Sequence, residues 1–271
     1  MSTRFEEAVD AVVTGDLEAL RALLRSEPTL VQSRSKFPHH ATLLHYTAAN
    51  GVEDQRQKTP DNAVEIARAL LTAGSEVDAL ADMYGGQFTT MSMLVSSGHP
   101  AKAGLQDALV ETLLDFGAAI EGVGSGTWVS PLMTALAFGY SSTAETLARR
   151  GANTNRLAAA AGLGRLPQAI HLLADADPAE RHAALALAAA HGHADIVRLL
   201  LDAGEDPNRY NPPGFHAHST PLHQAVCAGH EAVVRLLVER GARTDIEDTV
   251  YHGTPLGWAR HEGQANLEKY L

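Results

Sequence analysis

Two histidines separated by a single residue, His216 and His218, stand out among the 14 histidines of the sequence. They lie in segment 212–219, and on an extended backbone residues at this spacing point to the same side. Such a pair can bind a metal ion, but a metal site needs a third ligand, and no neighbouring Asp, Glu or Cys completes one in the sequence. The alternatives are contact with a ligand or partner, with Phe215 opposite, and a solvated or capping role.

Further residues with acid–base chemistry occur in two other loops. Asp82 and Tyr84 alternate along segment 81–90, whose two glycines can adopt positive φ, although Asp82 could equally form a local Asx turn. His99 lies in segment 96–104, where an atypical loop replaces a tight turn between helices. Histidine and tyrosine can exchange protons near neutral pH. The candidates for an acid–base site are His216, His218, Asp82, Tyr84 and His99.

Large aromatic side chains are scarce, at 5% of the chain, and could anchor a ligand. Trp128 directly precedes a helix start, and Trp258 lies inside another. Packing at a C-terminal cap is the alternative role for Trp258. The residues that we expect to contact a ligand or partner are Tyr84, Trp128, Phe215, His216, His218 and Trp258.

The common signatures of enzymes are absent from the sequence. It contains no G-x-x-x-x-G-K-[ST] phosphate loop, no H-E-x-x-H and no G-x-S-x-G. The one cysteine, Cys227, excludes an internal disulfide, and its place in an amphipathic helix predicts a small buried residue. A dyad with His223, four residues earlier, is geometrically possible but disfavoured, because this histidine has a structural role described below.

Composition excludes several classes of function. Lys and Arg number 21 and Asp and Glu 32, a net charge of −11 that argues against a broad nucleic-acid surface and against polybasic membrane docking. No apolar run is long enough to span a bilayer, and the first residues carry acids where a secretory signal has its apolar stretch. We therefore expect a soluble, cytoplasmic protein that contacts neither nucleic acid nor membrane.

The elements that position these residues are repeats. Thr220-Pro-Leu-His-Gln-Ala opens a helical stretch, and Thr254-Pro-Leu-Gly-Trp-Ala follows 34 residues later. Earlier copies begin at Ser130 and Thr42. These segments, together with the G-H-A-D-I-V-R-L-L-L-D-A-G run of 192–204, resemble the ankyrin repeat.

The resemblance implies an all-α solenoid of two-helix units joined by β-hairpin-like loops, and a surface of loops and first helices that is concave and binds partner proteins. His45 and His223 occupy the fourth position of the T-P-L-H signature, whose usual role is to hydrogen-bond the hairpin backbone. Thr or Ser at the start of each unit caps the first helix, and the following Pro suits its first turn.

We expect about eight such pairs in one domain spanning residues 1–271, with an N-terminal cap over 1–35 and a C-terminal cap over 254–271. The pairs are predicted near 4–26, 42–73, 89–117, 130–150, 156–174, 180–203, 220–240 and 254–271. Segment 52–61 reads as a solvated insertion within one unit. In the middle of the array the pairs follow each other with little or no hairpin between them.

Missing hairpins near 153–158 and 174–179 should leave a notch, which the loops carrying Tyr84, Trp128 and His216 would border. This leads to a main interpretation and two alternatives. The main one is a non-catalytic module, monomeric and without cofactor or metal, that binds a partner protein with basic or neutral patches. The first alternative is a scaffold whose pocket binds a small molecule, with acid–base catalysis by the five residues above. The second is a metal-binding variant that uses the same histidines.

Overall fold

The computed structural model describes residues 3–126 and 128–271, and it is mainly helical, as predicted. Met1 and Ser2, which belong to the predicted cap over 1–35, and Thr127 lie outside the described residues. The chain divides into two compact units, unit 1 (residues 1–152) and unit 2 (residues 153–271). The single domain predicted over 1–271 stays a prediction.

Unit 1 contains eight α-helices, three short 3₁₀ helices and one two-stranded hairpin in its described residues. The α-helices are α1 (Thr3–Thr14), α2 (Leu17–Ser26), α3 (Ala63–Thr72), α4 (Thr90–Leu94), α5 (Gly98–Lys102), α6 (Gln106–Asp115), α7 (Pro131–Ala137) and α8 (Ser141–Arg149). The 3₁₀ helices are Pro28–Gln32, Leu43–Ala48 and Asp54–Arg56, and the strands are β1 (Ala81–Met83) and β2 (Gly86–Phe88).

The predicted N-terminal pair is confirmed as α1 and α2. Gly15 turns the chain between them with φ of +77°, which a residue with a side chain rarely adopts, and Asp16 caps α2 by accepting a hydrogen bond from the Ala19 N–H at 2.9 Å. Leu20, at helical spacing from its apolar neighbours, is fully buried. The amphipathic pattern of this segment therefore specifies both the helix and its buried face.

The insertion over 52–61, expected to be a solvated loop, is instead fixed to α1. The Arg56 side chain is only 15% exposed, and its guanidinium lies 2.5 Å from Glu6, 3.3 Å from Asp10 and 3.0 Å from Glu53. A charged side chain buried to this degree needs such partners. The many charges of the segment predicted exposure to solvent. Instead, the charge of Arg56 is neutralised by carboxylates of α1 and of the segment itself.

Hairpin geometry explains the double glycine of segment 81–90. Strands β1 and β2 pair antiparallel, with Ala81 opposite Phe88, and the two-residue turn of Tyr84 and Gly85 has positive φ at both positions. β2 also exchanges two backbone hydrogen bonds with Ser125 of the next loop. The strand-like first half predicted for this loop is confirmed.

Unit 2 contains seven α-helices in its described residues. They are α9 (Leu157–Gly162), α10 (Leu166–Leu173), α11 (Pro178–Ala190), α12 (Ala194–Asp202), α13 (Pro221–Cys227), α14 (Glu231–Glu239) and α15 (Pro255–His261), followed by a 3₁₀ helix over Ala265–Tyr270. Each of the eight predicted pairs contains at least two described helices, although the first helix of the second pair and the second helix of the last pair are 3₁₀. The third pair, near 89–117, contains a third short helix, α5, and the 3₁₀ helices Pro28–Gln32 and Asp54–Arg56 lie outside the pairing.

The shortened middle of the array is confirmed. Only 174–177 separates α10 from α11, and in place of a hairpin α11 extends to 13 residues, capped by Asp177. Ala160 and Ala161 of α9 and Ala188 of α11 are fully buried. Small side chains at these positions let the helices approach closely without a loop to brace them.

A recurring contact joins consecutive pairs of unit 2. The ring of His193 covers Gly164 so closely that a Cβ there would lie 2.6 Å from it, and its Nε2 hydrogen-bonds the Gly162 carbonyl at 3.0 Å. His230 covers Gly192 in the same way and bonds the Ala190 carbonyl at 3.0 Å. In the pairs α11–α12 and α13–α14, the G-H turn therefore fixes the register on the preceding helix pair.

Candidate functional site: an aromatic and histidine-lined groove

Unit 2 contains a groove of about 730 Å³ formed by α13, α15 and the loops that precede them. Its walls combine aromatic rings, imidazoles, a thiol and two small glycines. The lining includes the side chains of His216, His218, Gln224, Cys227, Tyr251 and Trp258. The groove thus brings together three residues predicted from the sequence, namely the two histidines and Trp258.

One buried carboxylate organises the loop that forms one wall. Asp248 is fully buried and accepts hydrogen bonds from the backbone N–H groups of Val250, Tyr251 and Gly253 at 2.9, 2.6 and 2.9 Å. Its Oδ2 also accepts the indole N–H of Trp258 at 2.9 Å. The carboxylate thereby fixes the loop and the tryptophan relative to each other.

The electrostatics of Asp248 follow from these donors. Burial by itself would raise the pKa of this carboxyl, but the hydrogen bonds from Tyr251, Trp258 and the other two N–H groups outweigh it and hold the pKa below the ordinary value. A carboxyl with a depressed folded-state pKa stabilises the fold above its unfolded pKa and loses that contribution as pH falls. The loop should therefore be firmly closed at neutral pH.

The T-P-L-H histidine supports the groove from beneath. His223 Nδ1 accepts from the Thr220 backbone N–H and pairs with its hydroxyl, at 3.3 and 2.8 Å, while Nε2 lies 3.1 Å from the Gly253 carbonyl. Burial lowers the pKa of His223, so the neutral ring is favoured. The predicted bond to the hairpin backbone is confirmed, and His45 makes the equivalent bond to Phe88 in unit 1.

Ring contacts form the exposed part of the groove. The His218 ring lies 6.0 Å from His216, 6.2 Å from Tyr251 and 5.9 Å from Trp258, measured between centroids. Trp258 also meets His223 edge-on at 5.1 Å. Trp258 packs against the core of unit 2, as its alternative capping role predicts, and it also lines the groove. Its contact with a ligand or partner stays a prediction.

Phe215 is the remaining site residue predicted in unit 2, and the metal alternative rests on the same loop. Phe215 is half-buried, and its backbone N–H donates to the Pro212 carbonyl at 3.0 Å in the turn before the histidine pair. Over residues 3–126 and 128–271, no three His, Cys, Asp or Glu side chains lie together in a way that could hold a metal ion.

In unit 1 the predicted residues form smaller local contacts. Tyr84 is 63% exposed and its hydroxyl donates to the Asn50 amide oxygen at 2.7 Å. His99 lines a pocket of about 220 Å³ that also includes Asn50. Trp128 is half-buried and meets Phe138 edge-on at 5.7 Å.

Asp82 has a neighbour that sequence reasoning did not assign to it. Its Oδ2 lies 3.0 Å from His40 Nδ1, and its Oδ1 accepts from the Gln87 amide at 3.2 Å. The hydrogen bond with His40 is the main cause that lowers the pKa of Asp82. The five acid–base candidates are divided between the two units, and acid–base catalysis stays a prediction.

Two predictions about single side chains are wrong. Cys227, expected to be buried, is exposed, because its side of α13 lines the groove formed with α15 and is not covered by another helix pair. His182, expected on a helix surface, is buried, because α11 is longer than a normal first helix and its early turns pack inside unit 2. Helical spacing predicted the elements correctly but misjudged which neighbours cover them.

An iodoacetamide-linked fluorophore is expected to label Cys227 in the folded protein. Partial desolvation in the groove, with Glu262 nearby, raises the pKa of the thiol, so the reaction at neutral pH should be slower than that of free cysteine and should accelerate as pH rises. Mass spectrometry of the labelled chain measures this, with Cys227→Ser as the unlabelled control. Labelling only after denaturant is added would contradict the exposed position.

Sequence reasoning missed Asp248 and Gln224 as parts of this site. The available signal was the run Asp248-Thr-Val-Tyr-His-Gly directly before a T-P-L segment, because an Asp a few residues ahead of a Gly is typical of a turn.

No helix among the described residues has both the length and the apolar character needed to cross a membrane.

Comparison with known proteins identifies the repeat. A family model described as ankyrin repeats (3 copies) matches residues 157–248 and 187–271. An ankyrin repeat-containing protein of Schizosaccharomyces pombe is 40% identical over 62 residues, which are 23% of this chain and 28% of that protein. A putative E3 ubiquitin-protein ligase of Arabidopsis thaliana is 36% identical over 95 residues, 35% of this chain and 20% of that protein. The chain therefore spans less than a third of the length of these relatives.

Solved structures are also similar to this chain. One example is the human ASB11 ankyrin repeat domain, with a TM-score of 0.49 and 20% sequence identity, covering 100% of this chain and 96% of that one.

Proposed function

We propose that this chain, whose residues 157–271 match ankyrin repeats, is a non-catalytic binding module that recognises a partner protein through the groove of unit 2. Ankyrin repeats are generally protein–protein interaction modules, and this groove lies on the loops and first helices that the sequence analysis assigns to the binding surface. The observation that carries the proposal is the ring cluster of His218, Tyr251 and Trp258, held in place by Asp248. Monomeric state and cytoplasmic location stay predictions.

Preorganisation is the physical reason to favour this surface. Aromatic side chains dominate binding energy when they are rigid and partly desolvated before the partner arrives. Tyr251 is 76% exposed, and its backbone N–H is fixed on Asp248, so the part of the loop that carries the ring is already in place before a partner binds. A partner would bury the free face of Tyr251 against His218 without rearranging the loop.

Charge defines the chemistry of the partner. The chain carries −11, and Glu262 lies among the groove residues. Electrostatic complementarity favours a basic side chain, and an aromatic face attracts a cation placed over it. We expect the partner to insert an Arg or Lys, flanked by an apolar residue, over Tyr251 and Trp258.

Tyr251→Ser is expected to weaken binding of groove-selected peptides by about tenfold, because it removes the exposed ring and keeps the backbone hydrogen bond to Asp248. The probe is a phage-displayed library of random peptides of about 12 residues, panned on the full chain, since about four to eight residues suffice to cross one such groove. Enriched peptides should contain Arg or Lys beside an apolar residue. Fluorescence anisotropy measures their dissociation constants.

The matched control is Val250→Ser, the adjacent residue of the same loop, which is 56% exposed and does not line the groove. It should leave the affinity unchanged. Equal binding of the peptides to wild type and to Tyr251→Ser, or enrichment of acidic peptides, would reject the proposal.

A further inference from the structure

Unit 1 has a groove of its own, lined mainly by positive charge, although the chain as a whole is negative. It lies between α2 and α3 and has a volume of about 650 Å³. Three guanidinium groups line it, from Arg21 and Arg25 of α2 and Arg68 of α3, against a single carboxylate, Glu65. Residues 1–152 as a whole carry 11 Lys and Arg against 18 Asp and Glu, so this concentration of positive charge is not a consequence of composition.

The guanidinium groups differ in how far they are neutralised. Arg21 lies 3.1 Å from Glu18, and Arg68 lies 3.8 Å from Asp115, which is a longer contact. Both ion pairs are exposed and contribute little to the stability of the fold. Arg25 forms no ion pair with a carboxylate among the described residues. Its position in the last turn of α2 suits the helix dipole, but that explanation does not extend to the other two arginines.

The floor between the arginines is apolar. Leu24 is almost fully buried, Ala69 of α3 and Ala73 just after it present only methyl groups, and Thr72 contributes the one hydroxyl of the lining. A ligand that fits must therefore offer carboxylates at its edges and an aliphatic side chain at its centre. Guanidinium groups bind carboxylates through paired, charge-assisted hydrogen bonds, which supplies the specificity that the floor lacks.

We propose that the groove between α2 and α3 binds an acidic amphipathic segment of a second partner protein, in which Asp or Glu flank leucine-like residues. The carboxylates of the segment pair with Arg25 and Arg68, and its aliphatic side chain lies on Leu24 and Ala69. Glu65 repels the same segment and limits its affinity. This surface belongs to unit 1 and does not depend on the groove of unit 2, so either proposal can fail alone.

The test uses the full chain and two fluorescein-labelled synthetic peptides of about four helical turns with leucines at identical positions. One peptide carries Glu and the other Lys at the remaining sites, and anisotropy measures both dissociation constants. We expect binding of the Glu peptide, at least about tenfold weaker binding of the Lys peptide, and loss of affinity at high salt.

Three variants sharpen the result. Arg25→Glu combined with Arg68→Glu should weaken the Glu peptide by about tenfold or more, whereas Glu65→Gln should strengthen it several-fold, a gain that damage to the fold cannot produce. The control is Arg198→Glu, an exposed reversal on α12, which should change nothing. Far-UV circular dichroism verifies that each variant is folded.

Two outcomes overturn the proposal. One is a Glu peptide whose affinity is insensitive to the two arginines or to Glu65. The other is a single-stranded oligonucleotide that binds as tightly as the Glu peptide and needs the same arginines, which would make the groove a general polyanion site.

Discussion

Lowering the pH from neutral to about 4 is expected to cost the fold about 3 kcal/mol through His45 alone. Burial is the main cause that lowers the pKa of His45 to about 4, against an ordinary value of 6.5. The hydrogen bonds agree with a neutral ring, because the Thr42 backbone N–H donates to Nδ1 at 3.2 Å. The other nitrogen, Nε2, faces the Phe88 carbonyl at 3.3 Å.

The sign follows from the two pKa values. Above pH 6.5 the ring is neutral in both the folded and the unfolded chain, so His45 gives no pH dependence. Between pH 6.5 and about 4 only the unfolded chain binds the proton, so the stability of the fold decreases steadily as the pH falls through this range.

Urea unfolding at a series of pH values measures the effect of His45. His45→Gln should be less stable than wild type at neutral pH, because the hydrogen bonds between His45 and Thr42 that cap the helix are lost. Its free energy of unfolding should nevertheless depend less steeply on pH. Other buried histidines contribute in both proteins, so the difference between the two slopes is the relevant quantity. His171→Gln, at an exposed position on α10, is the control and should keep the wild-type slope. Identical slopes for wild type and His45→Gln would rule out this role of the ring.

Asp248→Ala is expected to destabilise unit 2 by about 3 kcal/mol, because hydrogen bonds to a charged acceptor each contribute about 1.5–3 kcal/mol and water replaces part of the loss in an exposed loop. Three backbone N–H groups and the Trp258 indole would lose their acceptor together. The loop should then open, and the groove should lose its affinity for the selected peptides.

Thermal unfolding and tryptophan fluorescence report the two parts of the Asp248 effect separately. Asp248→Asn keeps the volume and one acceptor oxygen and should lie between wild type and Asp248→Ala. Asp245→Ala is the matched control, since this exposed carboxylate of the same loop pairs with Arg243 and should change stability little. A loss for Asp248→Ala no larger than that for Asp245→Ala would show that the loop closes without its carboxylate.

Repeat signatures made the fold predictable, and the reason is local. A Thr cap and a histidine three residues after it determine a helix start and its bond to the backbone of the next inter-repeat loop, and His45 and His223 both make that bond. Likewise, the short spacing on either side of α9 and α10 predicted the missing hairpins. These features depend on neighbours in the sequence, where patterns are reliable.

The site was predictable only in part, because it depends on where long loops fold back. His216, His218 and Trp258 could be named from their unusual types, but their meeting requires the closure of loop 242–253 around Asp248. No periodicity encodes that closure. The same limit explains Arg56, whose partners Glu6 and Asp10 lie more than 40 residues away in the sequence.

The paired glycine and histidine of the G-H turn have a consequence for how such a chain changes over generations. His193 fits onto Gly164 of the preceding helix pair, and the neighbouring Gly192 receives His230 of the following pair. Duplication or loss of the whole pair α11–α12 therefore leaves both contacts matched, whereas a side chain introduced at Gly164 or Gly192 would meet the imidazole that covers it. Lengthening by complete modules is the change that this architecture tolerates best.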